Sequence, residues 1–132
     1  MPINWTSLTP EQLAIEASLH ANDHEENDEN SAFFDVDLAT WSLTHIATET
    51  LNVFKDSDEA RSWIYDEINF FKADGNIGRA KMYEDMLNSG IQDPVIIGQK
   101  SMNFSLWDGF HRVAIAITRK ELVLVILGVY KQ

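Results

Sequence analysis

The apolar positions near the start of the chain recur at helical spacing after a distinct start signal. The segment Thr9-Pro10-Glu11 combines an N-cap residue, a proline whose missing N–H costs nothing in the first turn, and a carboxylate near the positive end of the helix dipole. Leu13, Ala14 and Ala17 follow as an apolar stripe. The pattern predicts a helix that ends near Asn22.

The pattern changes twice in the next part of the chain. Residues 23–30 hold five carboxylates and no apolar side chain, so they repel one another, have nothing to bury and are predicted to form a solvated loop. Apolar and polar residues alternate from Phe34 to Leu38, which predicts a short strand facing inward on one side. Residues 40–54 return to helical spacing, and we expect a helix there.

Two further helices are predicted from their end signals. Asp56 and Glu59 have the spacing of a capping box, and this helix should end near Lys72. A second helix should span residues 79–88, with Gly90 as the terminating residue. The predicted buried positions are Ala60, Trp63, Ile64, Ile68 and Phe71 in the first helix, and Met82, Tyr83, Met86 and Leu87 in the second.

The last third of the chain reads as strand, strand, turn, helix and strand. The predicted strands are residues 94–97, 103–107 and 122–130, and a short helix over residues 113–120 follows the turn at residues 108–112. The order predicts an α+β fold, with a small mixed sheet and helices packed mainly on one side of it.

Length and composition narrow the class of protein. With 132 residues, 45% of them apolar, the chain can build one core, so we expect one domain over residues 1–132. Cysteine is absent, which excludes a disulfide scaffold, a thiolate metal site and a cysteine nucleophile. No apolar stretch is long enough to cross a membrane and no leader is recognisable, which predicts a soluble, cytoplasmic protein without a membrane partner.

The net charge of −11 is distributed unevenly. Residues 1–75 hold 16 acidic and three basic residues, a charge of −13, whereas residues 76–132 hold five acidic and seven basic residues, a charge of +2. Because duplex binding requires a dense basic surface, direct DNA binding is disfavoured. The C-terminal part can still hold a small anion, since a few donors at one backbone turn suffice.

The turn from Asp108 to Arg112 carries the candidate chemistry. A helix start leaves backbone N–H groups unpaired and attracts oxyanions, and Gly109 lets the backbone approach a ligand closely. Arg112 offers a fork of donors for phosphate, and His111 can donate a hydrogen bond or transfer a proton. Asp108 can hold a divalent metal, orient the arginine or cap the helix. A purely structural turn, with a cap and an internal ion pair, is the alternative.

The segment Asp108-Gly109-Phe110-His111-Arg112, followed by a helix of small residues, resembles the D-G-x-H-R signature of the ParB/sulfiredoxin superfamily. The preceding phrase from Gly90 to Pro94 and the final apolar strand are similar to that family as well, and the resemblance covers roughly residues 79–130. Residues 1–30 lie outside the family core. The resemblance implies a ParB/sulfiredoxin-like fold that binds nucleotide phosphates through Gly109, His111 and Arg112.

Departures from the family pattern limit what the resemblance implies. In sulfiredoxins the position of Phe110 is a catalytic Cys, and its absence excludes sulfiredoxin chemistry. In free-serine kinases the same position is a His, and its replacement by Phe110 leaves phosphotransfer open. ParB proteins bind CTP but carry a helical DNA-binding domain after this fold, and we do not expect centromere binding here. The implied ligand is a nucleotide (ATP, ADP or CTP) or another phosphorylated molecule, with Mg²⁺ at Asp108 as an option.

Two residues outside the signature complete the candidate site. Asp37, in the predicted first strand, is a candidate catalytic base together with Asp108 and His111, provided that this strand lies beside the turn. Trp107 precedes the signature and is a candidate to stack on a ligand ring, although burial in its strand explains it nearly as well.

The rival function is a non-enzymatic one. A small protein with a charge of −13 over residues 1–75 can dock on a basic protein partner, as an immunity protein, an inhibitor or a nucleic-acid mimic does.

Overall fold

The computed structural model describes residues 4–21, 39–51 and 53–130 of the chain, and these form a mixed α+β structure. This confirms the predicted fold class. The α-helices of the described part are Pro10–Ala21 (α1), Ser57–Ala73 (α2), Ile77–Ser89 (α3) and Phe110–Arg119 (α4), and its strands are Ala39–Ile46 (β1), Val95–Lys100 (β2), Asn103–Asp108 (β3) and Val123–Tyr130 (β4). Two 3-10 helices lie at Trp5–Ser7 and Thr48–Leu51. No helix in these described ranges has the length and apolar character that a membrane span requires.

The described residues fall into two compact units, each with an apolar cluster of its own. The first unit takes its described residues from 4–45, 93–109 and 124–130, and the second from 46–92 and 110–123. The chain passes from the first unit to the second between Gly109 and Phe110.

The first unit contains the sheet and α1. The strand order is β1-β4-β2-β3, with β2 antiparallel to β3 and parallel to β4. Helix α1 begins with a capping box, in which Thr9 Oγ1 accepts from the Gln12 N–H at 3.2 Å and Gln12 Oε1 accepts from the Thr9 N–H at 2.8 Å. The core of this unit consists of Leu13, Ala17, Trp41, Ile96 and Ile126.

Strand β1 corrects the helix predicted over residues 40–54. The segment forms a strand to Ile46 and then a 3-10 helix, because Trp41 is buried against β4. An ideal Cβ on Gly128 would lie 2.6 Å from Cη2 of the Trp41 indole, so the ring lies directly over this glycine. Tertiary packing thereby overrides the helical spacing. The predicted acidic loop and the predicted strand from Phe34 to Leu38 lie outside the described residues.

The second unit packs α2, α3 and α4 together. The predicted cap is confirmed: Asp56 Oδ1 accepts from the Glu59 N–H at 2.9 Å, and Glu59 Oε1 accepts from the N–H of Lys55 at 3.3 Å. Helix α3 ends at Gly90 with a φ of +90°. The buried residues of this core are Ile64, Ile68, Ala80, Tyr83, Ala114 and Ile115.

One predicted core position in this unit is wrong. Met82 is 43% exposed, because the buried stripe of α3 runs through Ala80 and Tyr83 and leaves the residue between them on the outer side.

Candidate functional site

The turn before α4 is short. Strand β3 ends at Asp108, a single glycine turns the chain, and α4 begins at Phe110. The helix therefore starts three residues earlier than the predicted Val113, which places Phe110, His111 and Arg112 in its first turn. The backbone N–H groups that have no acceptor within the helix, and the positive end of the helix dipole, therefore fall within the signature segment.

Gly109 is explained by local packing. Its φ is +102°, a conformation that residues with a Cβ rarely adopt, and an ideal Cβ there would lie 2.5 Å from Cγ1 and 3.2 Å from Cα of Val95 in β2. The sequence suggested that this glycine serves a close-lying ligand. The approach of β2 is sufficient to require it without one.

The His111 side chain lies within the helical core of the second unit. Its Nε2 is 3.0 Å from Oε1 of Glu67, a carboxylate acceptor on α2, and the two side chains are only 22% and 31% exposed. The imidazole stacks on Tyr83 of α3, with ring centroids 4.6 Å apart and an interplanar angle of 9°. The ring is thus held on two sides by neighbouring helices.

Burial lowers the pKa of His111 below its usual value of 6.5. The hydrogen bond and the negative charge of Glu67 act in the opposite direction, while the charges of Arg79 and Arg112 reinforce the lowering. The imidazole is therefore mainly neutral at pH 7, and it can donate its Nε2 proton to Glu67 in that state.

Phe110 contributes to an aromatic cluster rather than to polar chemistry. Its ring centroid lies 4.8 Å from that of Trp63 and 5.2 Å from that of Phe54, and the side chain is 39% exposed. The position where the signatures that this segment resembles carry Cys or His thus supplies apolar contact to α2 and to the segment before it.

A second arginine, which the sequence did not single out, lies against Phe71 and Tyr83. The guanidinium of Arg79 sits 4.5 Å from the Phe71 ring centroid, and its Nε donates to Oη of Tyr83 at 3.3 Å. The contact between Phe71 of α2 and Arg79 of α3 joins two different helices. The spacing of residues within one helix does not predict such a contact.

The remaining predicted site residues have different outcomes. Asp108 and Arg112 are both half-buried, and each takes part in interactions with other groups. Trp107 belongs to β3, and its side chain lies outside the described part. Asp37 falls within residues 22–38 and is likewise not described, so its proximity to the turn stays a prediction. Across residues 4–21, 39–51 and 53–130, no group of three His, Asp or Glu side chains is arranged to hold a metal ion.

Comparison of the chain with protein-family models, with curated proteins and with solved structures found no match. The similarity of residues 79–130 to the ParB/sulfiredoxin superfamily therefore stays a prediction that rests on the D-G-x-H-R segment and the elements around it.

Proposed function

We propose that this chain is a binding domain that holds a nucleotide or another phosphorylated molecule at the segment from Asp108 to Arg112. The observation that carries the proposal is the direct passage from β3 through Gly109 into α4, with Arg112 in the first helical turn. Oxyanions are attracted to such a turn because its N–H groups have no intrahelical acceptors and because the helix dipole is positive there.

Each residue of the segment has a distinct role in this proposal. Arg112 binds phosphate oxygens through two parallel N–H donors, a geometry that lysine cannot reproduce. Asp108 holds the Mg²⁺ that accompanies a nucleotide. His111 acts as a positioning residue, because its Nε2 already pairs with Glu67 and its backbone amide is the group left for the ligand. The function proposed is therefore binding, with no step of phosphotransfer through His111.

A thermal-shift series with ATP, ADP and CTP, with and without Mg²⁺, tests the proposal. At a nucleotide concentration 100-fold above Kd, mass action stabilises the folded chain by about 2.7 kcal/mol, which raises Tm by roughly 10 °C. Arg112→Ala should abolish this increase, and Arg112→Lys should retain only part of it. Arg61→Ala removes the same charge from the exposed face of α2 and should leave the increase intact. No shift with any nucleotide at millimolar concentration would contradict the proposal.

Electrostatic docking on a basic protein partner is the second candidate, and the net charge of −11 favours it. Replacing the five carboxylates of residues 23–30 by amides should then slow association with a basic protein, and raising the salt concentration should have the same effect. A binding rate that is insensitive to both changes excludes this function.

A further inference from the structure

The second unit contains a cleft of about 570 Å³ that the signature segment does not line. Its walls come from the loop and 3-10 helix after β1, from the start of α2, and from the end of α4 with the loop that follows it. A volume of this size is in the range of sites for small organic molecules.

The charges in the cleft are unequally paired. Two of its carboxylates are engaged, since Asp56 caps α2 and Glu121 accepts from Arg119 Nη2 at 2.8 Å. Among the described residues, no hydrogen bond or ion pair involves the ammonium group of Lys55 or Lys120 or the carboxylate of Glu49. Lys55 and Lys120 thus offer two ammonium groups to a ligand, while the five charged lining residues together carry a formal charge of −1.

Lys120 occupies an unfavourable backbone position. Its φ is +59° at the end of α4, a place where Gly or Asn is the usual residue because a Cβ is strained there. From this position Lys120 lines the cleft.

The cleft also offers apolar surface. Phe54 and Ile117 line it together with Leu122, which is 59% exposed. Burying such side chains under a ligand is favourable by about 25 cal/mol per Å² of apolar area, so the cleft favours a ligand with an apolar body over a bare inorganic ion.

We infer that this cleft is a second binding site, for a small organic anion that carries a carboxylate or phosphate group on an aromatic or aliphatic body. Lys55 and Lys120 bind the anionic group, and Phe54 with Leu122 covers the apolar body. Helix α4 has ten residues and is about 15 Å long, and the signature segment lies at its other end. Phe54 of the cleft contacts Phe110 of the signature segment, with ring centroids 5.2 Å apart, but no residue from 108 to 112 lines the cleft, and the inference goes beyond the proposed function.

A ¹H–¹⁵N NMR titration of the full chain with phenyl phosphate and with benzoate tests this inference. At least one of the two compounds should cause saturable shifts at the amides of residues 47–49, 55–57 and 120–122. The compound that binds more tightly shows whether the cleft prefers a phosphate or a carboxylate group. Benzylamine is the control for the sign of the charge, and inorganic phosphate is the control for the apolar body. Both should bind at least tenfold more weakly than the phenyl phosphate or benzoate that causes the shifts.

Four variants complete the experiment. Lys55→Gln and Lys120→Asn should each weaken probe binding about tenfold, the effect of one lost charge-assisted hydrogen bond, and Lys120→Asn should do so without lowering Tm because asparagine tolerates a positive φ. Glu49→Gln should strengthen binding. Lys81→Gln removes an exposed lysine of α3 that pairs with Asp85 outside the cleft, and it should have no effect.

Several results would overturn the inference. Stronger binding of benzylamine than of either anion would show that the cleft prefers cations. Shifts confined to residues 109–113 would assign the anion to the signature segment alone. Equal losses of probe affinity in Lys81→Gln and Lys120→Asn would show that the net charge of the chain, and not the cleft, determines binding. None of these results requires the nucleotide proposal to fail.

Discussion

Replacing Gly109 by alanine tests whether packing on β2, rather than a ligand, requires this glycine. Two costs add in this variant. A φ of +102° is strained for any residue with a Cβ, which costs about 1–3 kcal/mol, and the new methyl group would lie 2.5 Å from Cγ1 of Val95, an overpacking that costs typically about 1–3 kcal/mol. We therefore expect Gly109→Ala to lower the free energy of unfolding by about 2–6 kcal/mol.

Gly75 provides the matched control. Its φ is +81°, but an added Cβ would meet nothing within 4 Å, so Gly75→Ala carries the backbone cost alone. Urea unfolding of both variants, followed by circular dichroism, isolates the steric part as the difference between them. Adding Val95→Ala to Gly109→Ala should recover part of that difference because it removes Cγ1. If Gly109→Ala costs no more than Gly75→Ala, the close approach of β2 does not explain the glycine.

Three further predictions concern other parts of the fold. Gly128→Ala should destabilise the first unit by about 1–3 kcal/mol in urea unfolding, because its Cβ would lie 2.6 Å from the Trp41 indole, and a smaller ring in Trp41→Phe should recover part of the loss. Because burial lowers the pKa of His111, the unfolded chain binds more protons than the folded one below pH 6.5, so the free energy of unfolding should fall as the pH drops below that value. The fall should be smaller in His111→Gln. Equal pH profiles of stability for this variant and the unchanged chain would refute the prediction. Asp56→Ala should cost about 1 kcal/mol through loss of the α2 cap, whereas Asp66→Ala, an exposed residue of the same helix without that role, should cost less than half as much.

The helices were predictable where local signals mark their ends. Thr9, Asp56 and Gly90 each act within a few residues of the end that they mark, so the sequence contains the whole of that signal. Strand β1 was not predictable in this way. Its conformation depends on Trp41 lying over Gly128, a contact between distant parts of the chain that no spacing rule shows.

In the candidate site too, the features set by neighbouring residues were predictable and those set by distant residues were not. The position of the turn and of its glycine follows from the local order of strand, glycine and helix. The environment of His111 does not, because Glu67 lies 44 residues away in the sequence and Tyr83 is on a different helix. The cleft lined by Lys55 and Lys120 was missed for the same reason, since its walls come from separate segments that only the folded unit brings together.

The measurement that tests the proposed function most directly is a ¹H–¹⁵N NMR titration with ATP, ADP and CTP in the presence of Mg²⁺. We expect at least one nucleotide to cause saturable shifts at the amides from Gly109 to Val113, and Arg112→Ala to remove them while the rest of the spectrum stays folded. Unchanged amides from Gly109 to Val113 with all three nucleotides at millimolar concentration would contradict a nucleotide site at the start of α4, whatever the cleft at its other end binds.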